Sequence, residues 1–226
     1  SHYFAVLVPV VPKGTSKAGE IEKAYSDSWV DAEGTMRAFI GVVRNPDGET
    51  YEESLFVVDV PVSVDITSAD SGNAERYPSP PEGIRIRRLT HDWAGGIVRG
   101  SPEGKRIAYY GKDAQGVKQV FIIAADGSDG SNDPAKQPIQ VTFLPEGTEA
   151  GLRWHPDGRH ILCVSEGGLV LVNITPGNTF GKHCFITAHN DGKERYAPCF
   201  SPDGGQVAYN CLVPTYDEAG KRACNY

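Results

Sequence analysis

The sequence predicts an all-β protein, a β-propeller built from four-stranded antiparallel blades. Two observations predict this fold. The first is a turn motif that occurs three times at intervals of roughly 50 residues, the length of a propeller blade with loop insertions. The second is a set of short β-branched and aromatic runs that follow the copies of the motif and are separated by glycine- and proline-rich turns.

The repeated motif is a proline–acid–glycine turn. Its copies are Ser101-Pro102-Glu103-Gly104, His155-Pro156-Asp157-Gly158 and Ser201-Pro202-Asp203-Gly204. Proline sets φ at the first central position of such a turn, and glycine takes the position that needs a positive φ. We therefore predict that each copy joins the innermost strand of a blade to the second strand. The alternative is a β-sandwich with three similar hairpins, but its strands would alternate more evenly and would not place one turn at the same point of each unit.

The repeat divides the chain into four blade units, at about residues 1–92, 93–145, 146–190 and 191–226. The last unit is incomplete, so we expect about three blades plus a fragment, all within one propeller domain. The first unit is the least regular. It contains a predicted short helical insertion near the N-terminus, around Glu20 to Trp29, because four side chains share one helical face: Ile21, Ala24, Tyr25 and Trp29.

The number of repeats predicts that further blades exist beyond this chain. The smallest closed propellers have about four blades, and each blade packs on two neighbours. We therefore expect the chain to be truncated at both ends, with the remaining blades of the same protein before Ser1, after Tyr226 or both.

Composition narrows the classes of partner. The formal net charge is -7, which argues against a general nucleic-acid binder, since such proteins carry a basic stripe. No apolar run is long enough to predict a membrane span. The five cysteines show no C-x-x-C pair and no regular spacing, so we expect neither a disulfide framework nor a structural zinc site. Cys163 and Cys199 lie in apolar strands and are predicted to be buried thiols.

The turn motif resembles that of TolB-like, WD-repeat-like propellers, in which an x-Pro-Asp-Gly-x-x-Ile-Ala-Tyr pattern opens every blade. Glu103 and His155 stand where Asp and Ser are usual. Three other segments resemble an uncharacterised bacterial family often labelled biopolymer transporter Tol: Ser1-His2-Tyr3-Phe4-Ala5-Val6-Leu7-Val8, Glu20-Ile21 with Ala24-Tyr25 and Trp29, and Leu55-Phe56-Val57-Val58-Asp59-Val60-Pro61. The resemblance implies a bacterial protein and favours the periplasm, whereas cysteines without a disulfide pattern favour the cytoplasm, so the sequence leaves the compartment open. The same superfamily holds oligogalacturonate lyases, which bind a divalent metal through histidines in the channel, and the propeller domains of prolyl oligopeptidases.

Candidate site residues lie on the loops that lead from the outer strand of one blade to the inner strand of the next. His91 with Asp92, and His189, fall at nearly the same point of two units, where such loops form the mouth of a propeller channel. With acidic side chains nearby, two neutral imidazoles suit a divalent cation, manganese being the ion we would test. The other interpretation is that they are unrelated polar loop residues and that no cofactor is bound.

A second group of candidates is cationic. Arg99 and Arg153 each lie on an inner strand, three residues before the turn proline, and Arg195 lies on the loop that enters the last blade. Because inner strands line a propeller channel, these arginines are placed to hold a carboxylate or a phosphate. The alternative is that they form ion pairs between blades.

Two functional hypotheses follow. The first is a non-catalytic scaffold that binds a protein or a polysaccharide ligand at the channel mouth, consistent with the absence of a recognisable catalytic motif. The second is a metal-assisted lyase or hydrolase acting on an acidic sugar, in which a metal acidifies the proton beside the carboxylate and a base removes it. Whether the protein is an enzyme is left open by the sequence.

Overall fold

The structure, a computed structural model, describes residues 5–127, 133–213 and 215–223. The first four residues of the segment Ser1 to Val8 used in the resemblance lie outside the described residues. The all-β prediction is confirmed: apart from two single-turn 3₁₀ helices, Ile66–Ser68 and Pro134–Lys136, the regular elements of the described part are strands. No helix in those residues is long and apolar enough to cross a bilayer.

Twelve of the strands form three four-stranded antiparallel sheets, each a blade in which the strands follow one another in chain order. The first blade contains β1 (Ile21–Trp29), β2 (Met36–Arg44), β3 (Tyr51–Asp59) and β4 (Arg85–Arg88). The second contains β5 (Ala94–Gly100), β6 (Arg106–Lys112), β7 (Lys118–Ala124) and β8 (Ile139–Gln140). The third contains β9 (Arg153–Trp154), β10 (His160–Ser165), β11 (Gly168–Asn173) and β12 (His183–Phe185).

The last part of the chain contributes two hairpins. One pairs β13 (Glu194–Phe200) with β14 (Val207–Leu212), and the other pairs β15 (Thr215–Tyr216) with β16 (Arg222–Ala223). The expected three blades plus a fragment are therefore present as three four-stranded sheets and the β13–β14 hairpin.

The proline–acid–glycine motif forms the same turn in all three places. Each copy lies between the first and second strands of its sheet, as predicted. In each, the glycine N–H donates to the carbonyl of the first motif residue, at 2.9 to 3.0 Å. The glycines have φ values of 71°, 66° and 76°, which only glycine adopts without strain: Gly104, Gly158 and Gly204. The repeat therefore marks equivalent corners of successive sheets.

The predicted helix around Glu20 to Trp29 is wrong, because this segment is the strand β1. Its pairing with β2 shifts register twice, between Ile21 and Lys23 and between Tyr25 and Ser28, and Ser26 has a φ of 54°. A bulge of this kind inserts an extra residue and breaks the two-residue alternation of a strand. The apolar residues then fall at intervals that imitate a helical face, which explains the error.

The chain divides into two compact units. Unit 1 contains residues 1–112 and 122–139, and unit 2 contains residues 113–121 and 140–226. In unit 1 the apolar face of the first blade, around Phe39, Phe56 and Val58, is covered by Leu7, Val8 and Val10 of the N-terminal segment. In unit 2, Leu162, Val164 and Leu169 of the third blade pack against Phe200 and Val207 of the β13–β14 hairpin.

The cysteines differ from expectation at one position. Cys163, on the middle strand β10, is fully buried as predicted, but Cys199, on β13, is exposed. Five of the six residues of β10 are buried, whereas β13 begins with Glu194 and Arg195 and four of its seven residues are exposed. No disulfide joins the described cysteines, which are all free: Cys163, Cys184, Cys199 and Cys211.

Candidate functional site

The predicted mouth loops begin at the same structural feature in three blades. After each outer strand, a threonine hydroxyl accepts a hydrogen bond from a backbone N–H of the third strand. The residue before each threonine donates its own N–H to the carbonyl of that same third-strand residue. The pairs are Thr90 with Leu55 (3.0 Å), Thr142 with Val120 (2.8 Å) and Thr187 with Leu169 (2.9 Å). The three loops therefore start at equivalent points of their blades, which agrees with the equivalent positions of His91 and His189 in the sequence.

His91 and Asp92 lie on the loop between β4 and β5 in unit 1, and both are exposed. His91 lines an open cleft together with Phe56, Ile86 and Arg88. Asp92 acts on Tyr109: burial is the main cause that raises the pKa of that phenol, and the negative charge of Asp92 adds to it. In the described part of unit 1, His91 is not grouped with two further metal-ligating side chains.

Arg99 lies on the inner strand β5 and is half-buried. Its Nη1 donates to the carbonyl of the preceding residue, Val98, at 2.7 Å. Arg153 repeats this arrangement on β9 of unit 2, where its Nη1 donates to the carbonyl of Leu152 at 2.8 Å. The two guanidinium groups are thus folded back on their own strands in the same way in two different blades.

Within unit 2, Arg153 does not form the ion pair that the sequence analysis gave as the alternative to anion binding. Among the described residues of its own unit, no carboxylate lies within ion-pair distance of its guanidinium. Arginine carries five N–H donors in a planar fork, and the single bond to Leu152 uses one of them. The side chain therefore keeps most of its capacity to bind an anion.

His189 and Arg195 both contact the turn between β10 and β11. Nδ1 of His189 lies 3.1 Å from the Glu166 carboxylate, and its ring stacks on Phe185 at 3.7 Å between centroids. Arg195 donates to the carbonyl of Gly167 at 2.9 Å. The structure therefore brings these two predicted residues together around the turn formed by Glu166 and Gly167.

Arg195 is a buried residue with its own carboxylate partner. Its Nη1 and Nη2 donate to the two oxygens of Asp191, at 3.1 and 2.8 Å. These hydrogen bonds are the main cause that lowers the pKa of Asp191 to about 2, and they raise the pKa of Arg195 further above its ordinary value. The pair holds the mouth loop of the third blade in one conformation.

The metal pair predicted from sequence stays a prediction. His91 belongs to unit 1 and His189 to unit 2. In the described part of unit 2, His189 is not one of three clustered metal-ligating side chains. Its Nδ1 is already occupied by Glu166.

Sequence reasoning missed an aromatic cluster in unit 1. The Glu53 carboxylate accepts from the Tyr25 hydroxyl at 2.6 Å and from the Trp93 indole N–H at 2.8 Å. Lys23 and Lys112 lie over the two aromatic rings, at 4.8 and 4.9 Å from the centroids. Trp93 directly follows Asp92 on the candidate loop, so an aromatic residue in that position was the available signal.

Sequence reasoning noted His155 only as a departure from the usual serine and did not include His160 among the candidate site residues. The structure groups both around Asp157, with one potential ligand atom from each side chain within 4.8 Å of the others. Nδ1 of each histidine lies 2.9 Å from one oxygen of the Asp157 carboxylate. The departure from serine at His155 was the signal for this cluster.

Comparisons with known proteins give relatives without an established activity. No family model matches the chain. It is 28% identical over 225 residues to the uncharacterized protein YidR from Escherichia coli (strain K12), a match that covers 92% of this chain and 51% of YidR. The chain therefore spans about half the length of this curated relative. Among solved structures, TolB from Acinetobacter baumannii is similar with a TM-score of 0.40 and 17% identity, over 87% of this chain and 49% of TolB.

Proposed function

We propose that the chain is part of a non-catalytic propeller scaffold that binds a protein or polymer ligand carrying acidic groups, through Arg99 and Arg153. The observation that carries the proposal is the repeated placement of these arginines. Each lies on the innermost strand of a blade, is half-buried, and donates one N–H to the carbonyl of the residue before it.

The environment of Arg153 favours an anionic ligand. Partial burial removes some of the water that would solvate its charge, and no carboxylate of the described part of unit 2 replaces that water. A carboxylate arriving from a ligand would satisfy the guanidinium in the bidentate geometry that arginine favours. Arg99 has the same posture on a blade of unit 1, so each of the two arginines is proposed to bind an acidic group in its own unit.

The contacts of the mouth loop favour binding over metal-assisted chemistry. His189 is held between the Glu166 carboxylate and the Phe185 ring, and Asp191 is committed to Arg195. Side chains used in this way hold a loop in place, and a loop held in place loses little conformational entropy when a ligand binds. The lyase hypothesis needs the same side chains for a metal ion and a base.

The test is a binding measurement on the protein with two acidic probes, oligogalacturonate and polyglutamate. We expect Arg99→Gln and Arg153→Gln each to weaken binding of the preferred probe by about tenfold or more, since charge-assisted hydrogen bonds contribute about 1.5–3 kcal/mol each. The control is Arg159→Gln, which alters an exposed arginine beside the β9–β10 turn and should leave affinity unchanged.

Two results would contradict the proposal. One is equal affinity of the wild type and both arginine variants for each probe. The other is manganese-dependent conversion of oligogalacturonate to an unsaturated product that His189→Ala abolishes, because this outcome identifies the lyase.

A further inference from the structure

We propose that His155, Asp157 and His160 form a zinc-binding site at the β9–β10 turn. This site goes beyond the proposed scaffold function and shares no residue with it. The three side chains converge without any ion: the Asp157 carboxylate lies between the two imidazoles, and both N–O distances are 2.9 Å.

The spacing of the ligand atoms suits a transition metal. Zinc binds imidazole nitrogen and carboxylate oxygen at about 2.0–2.2 Å. With such bonds in tetrahedral geometry, neighbouring ligand atoms lie about 3.3–3.6 Å apart. The two 2.9 Å contacts are somewhat shorter than this distance, and all three candidate ligand atoms lie within 4.8 Å of one another. Only small side-chain movements are needed to admit the ion.

The surroundings hold His155 in a suitable tautomer. Its Nε2 lies 3.3 Å from the carbonyl oxygen of Gly204, so the proton belongs on Nε2 and the lone pair of Nδ1 faces Asp157. A metal-binding histidine commonly donates its other N–H to a backbone carbonyl in this way. Zinc would replace the weak bond of 3.1 Å that the Asp157 N–H makes to Nδ1.

The β13–β14 hairpin also holds the His155 ring in position. The His155 ring packs edge-on against Phe200, with centroids 4.8 Å apart. Gly204 permits the approach, since a Cβ atom there would lie 2.5 Å from His155 Nε2. The Arg159 N–H donates to the Asp157 carboxylate at 2.7 Å, which holds this side chain in the cluster.

The equivalent turns show that the fold does not need these imidazoles. The second blade has Ser101, Glu103 and Arg106 at the same positions, and the last hairpin has Ser201, Asp203 and Gln206. Both form the same turn, with the serine hydroxyl accepting a backbone N–H at 2.9 to 3.0 Å. The turn therefore does not require imidazoles at these two positions.

The ligand set selects the class of ion. Two imidazoles and one carboxylate favour zinc over magnesium or calcium, which prefer sets made of oxygen. Three protein ligands leave a fourth position for water. Because His155 also contacts Gly204 and Phe200, bound zinc would tie the third blade to the β13–β14 hairpin within unit 2.

The experiment is a titration of the metal-free protein with zinc chloride, by calorimetry and by thermal unfolding. We expect one equivalent of zinc to bind the wild type and to raise its Tm, because a ligand that binds only the folded state stabilises it. His155→Ser and His160→Gln should each weaken binding by at least about tenfold, since each removes one of three ligands. His155→Ser installs the residue found in the two other turns, so its fold should be intact.

The control is His183→Gln, which changes an exposed histidine on β12 of the same blade and should leave zinc binding unaltered. The proposal is overturned if the wild type takes up no stoichiometric zinc, or if uptake survives both substitutions. Either result leaves the arginine proposal standing, because that proposal rests on binding of acidic probes by Arg99 and Arg153, which lie outside this cluster.

Discussion

At the scale of single residues, the inner strands share a strained backbone position. Ser26 in β1 and Ala197 in β13 have φ values of 54° and 50°, while Gly96 in β5 has a φ of 70°. Each lies where the strand shifts register against its neighbour. Glycine adopts this conformation freely, whereas an L-residue with a side chain pays about 1–2 kcal/mol. The bulge is therefore shared by β1, β5 and β13. In β1 and β13 it costs conformational energy, because the residue with positive φ is not glycine.

This strain predicts the effect of one substitution. Ala197→Gly should raise the free energy of unfolding by about 0.5–1 kcal/mol, because it relieves the positive φ at an exposed site. The matched control is Ala208→Gly on the adjacent strand β14, where φ is not positive and the same change should lower stability by about 0.5–1 kcal/mol. Urea unfolding of the two variants measures both values, and a destabilised Ala197→Gly would contradict the strain.

At the scale of elements, each blade is closed by the same pair of hydrogen bonds from its outer strand. The threonine hydroxyl replaces a backbone carbonyl as acceptor where the outer strand ends. Thr142 does more than its counterparts, since its hydroxyl also donates to the buried Gln119 side chain at 2.7 Å. Gln119 in turn donates to the carbonyl of Leu144 at 2.8 Å, which anchors the loop that follows.

These contacts predict a graded series of threonine-to-valine substitutions, which keep shape but remove the hydroxyl. Thr142→Val should cost about 2–3 kcal/mol, because it leaves a buried backbone N–H unsatisfied and removes one of the two hydrogen bonds that the Gln119 carbonyl oxygen accepts. Thr90→Val, with one buried bond lost, should cost about 1–2 kcal/mol. Thr187 is only half-buried, so water can replace its hydroxyl and the cost should be smallest.

Chemical denaturation of the three variants gives the order directly. Equal costs at all three positions, or a larger cost at Thr187 than at Thr142, would show that the closing bonds do not matter as described. The element scale also explains the one wrong assignment of secondary structure. Periodicity identifies a strand by strict alternation, and the bulge at Ser26 in β1 removed that alternation.

At the scale of the whole molecule, the packing of blade faces decides which side chains reach solvent. Cys163 lies in β10, which has a neighbouring strand on both edges and is buried over most of its length. Cys199 lies in β13, which pairs with one strand among the described residues and is largely exposed. Burial raises the pKa of the Cys163 thiol to about 12, whereas Cys184 and Cys199 are exposed. Thiol reactivity therefore reports on the packing of unit 2.

We expect a thiol reagent to modify Cys184 and Cys199 rapidly in the native protein and to reach Cys163 only on unfolding. Two effects protect the buried thiol. Burial excludes the reagent, and the raised pKa keeps the thiol in its unreactive protonated form at neutral pH. Mass spectrometry of labelled peptides assigns the rate at each cysteine, and the denatured protein serves as the control for intrinsic reactivity. Rapid native labelling of Cys163 would mean that the third blade does not pack as described.

The amino-acid order by itself determined the blade architecture. The turn glycines at 104, 158 and 204 and the spacing of the strands that follow them depend on local φ preferences and chain period, which a sequence displays directly. It also determined where the mouth loops begin, since Thr90, Thr142 and Thr187 occupy equivalent points.

Only the tertiary structure decided how the candidate side chains are used. The pairing of Arg195 with Asp191, the holding of His189 by Glu166 and the convergence of His155 with Gly204 join residues from different strands and turns. Such contacts depend on which faces meet in space, and no local preference along the chain encodes that meeting. For the same reason, the exposure of Cys199 could be found only in the folded molecule.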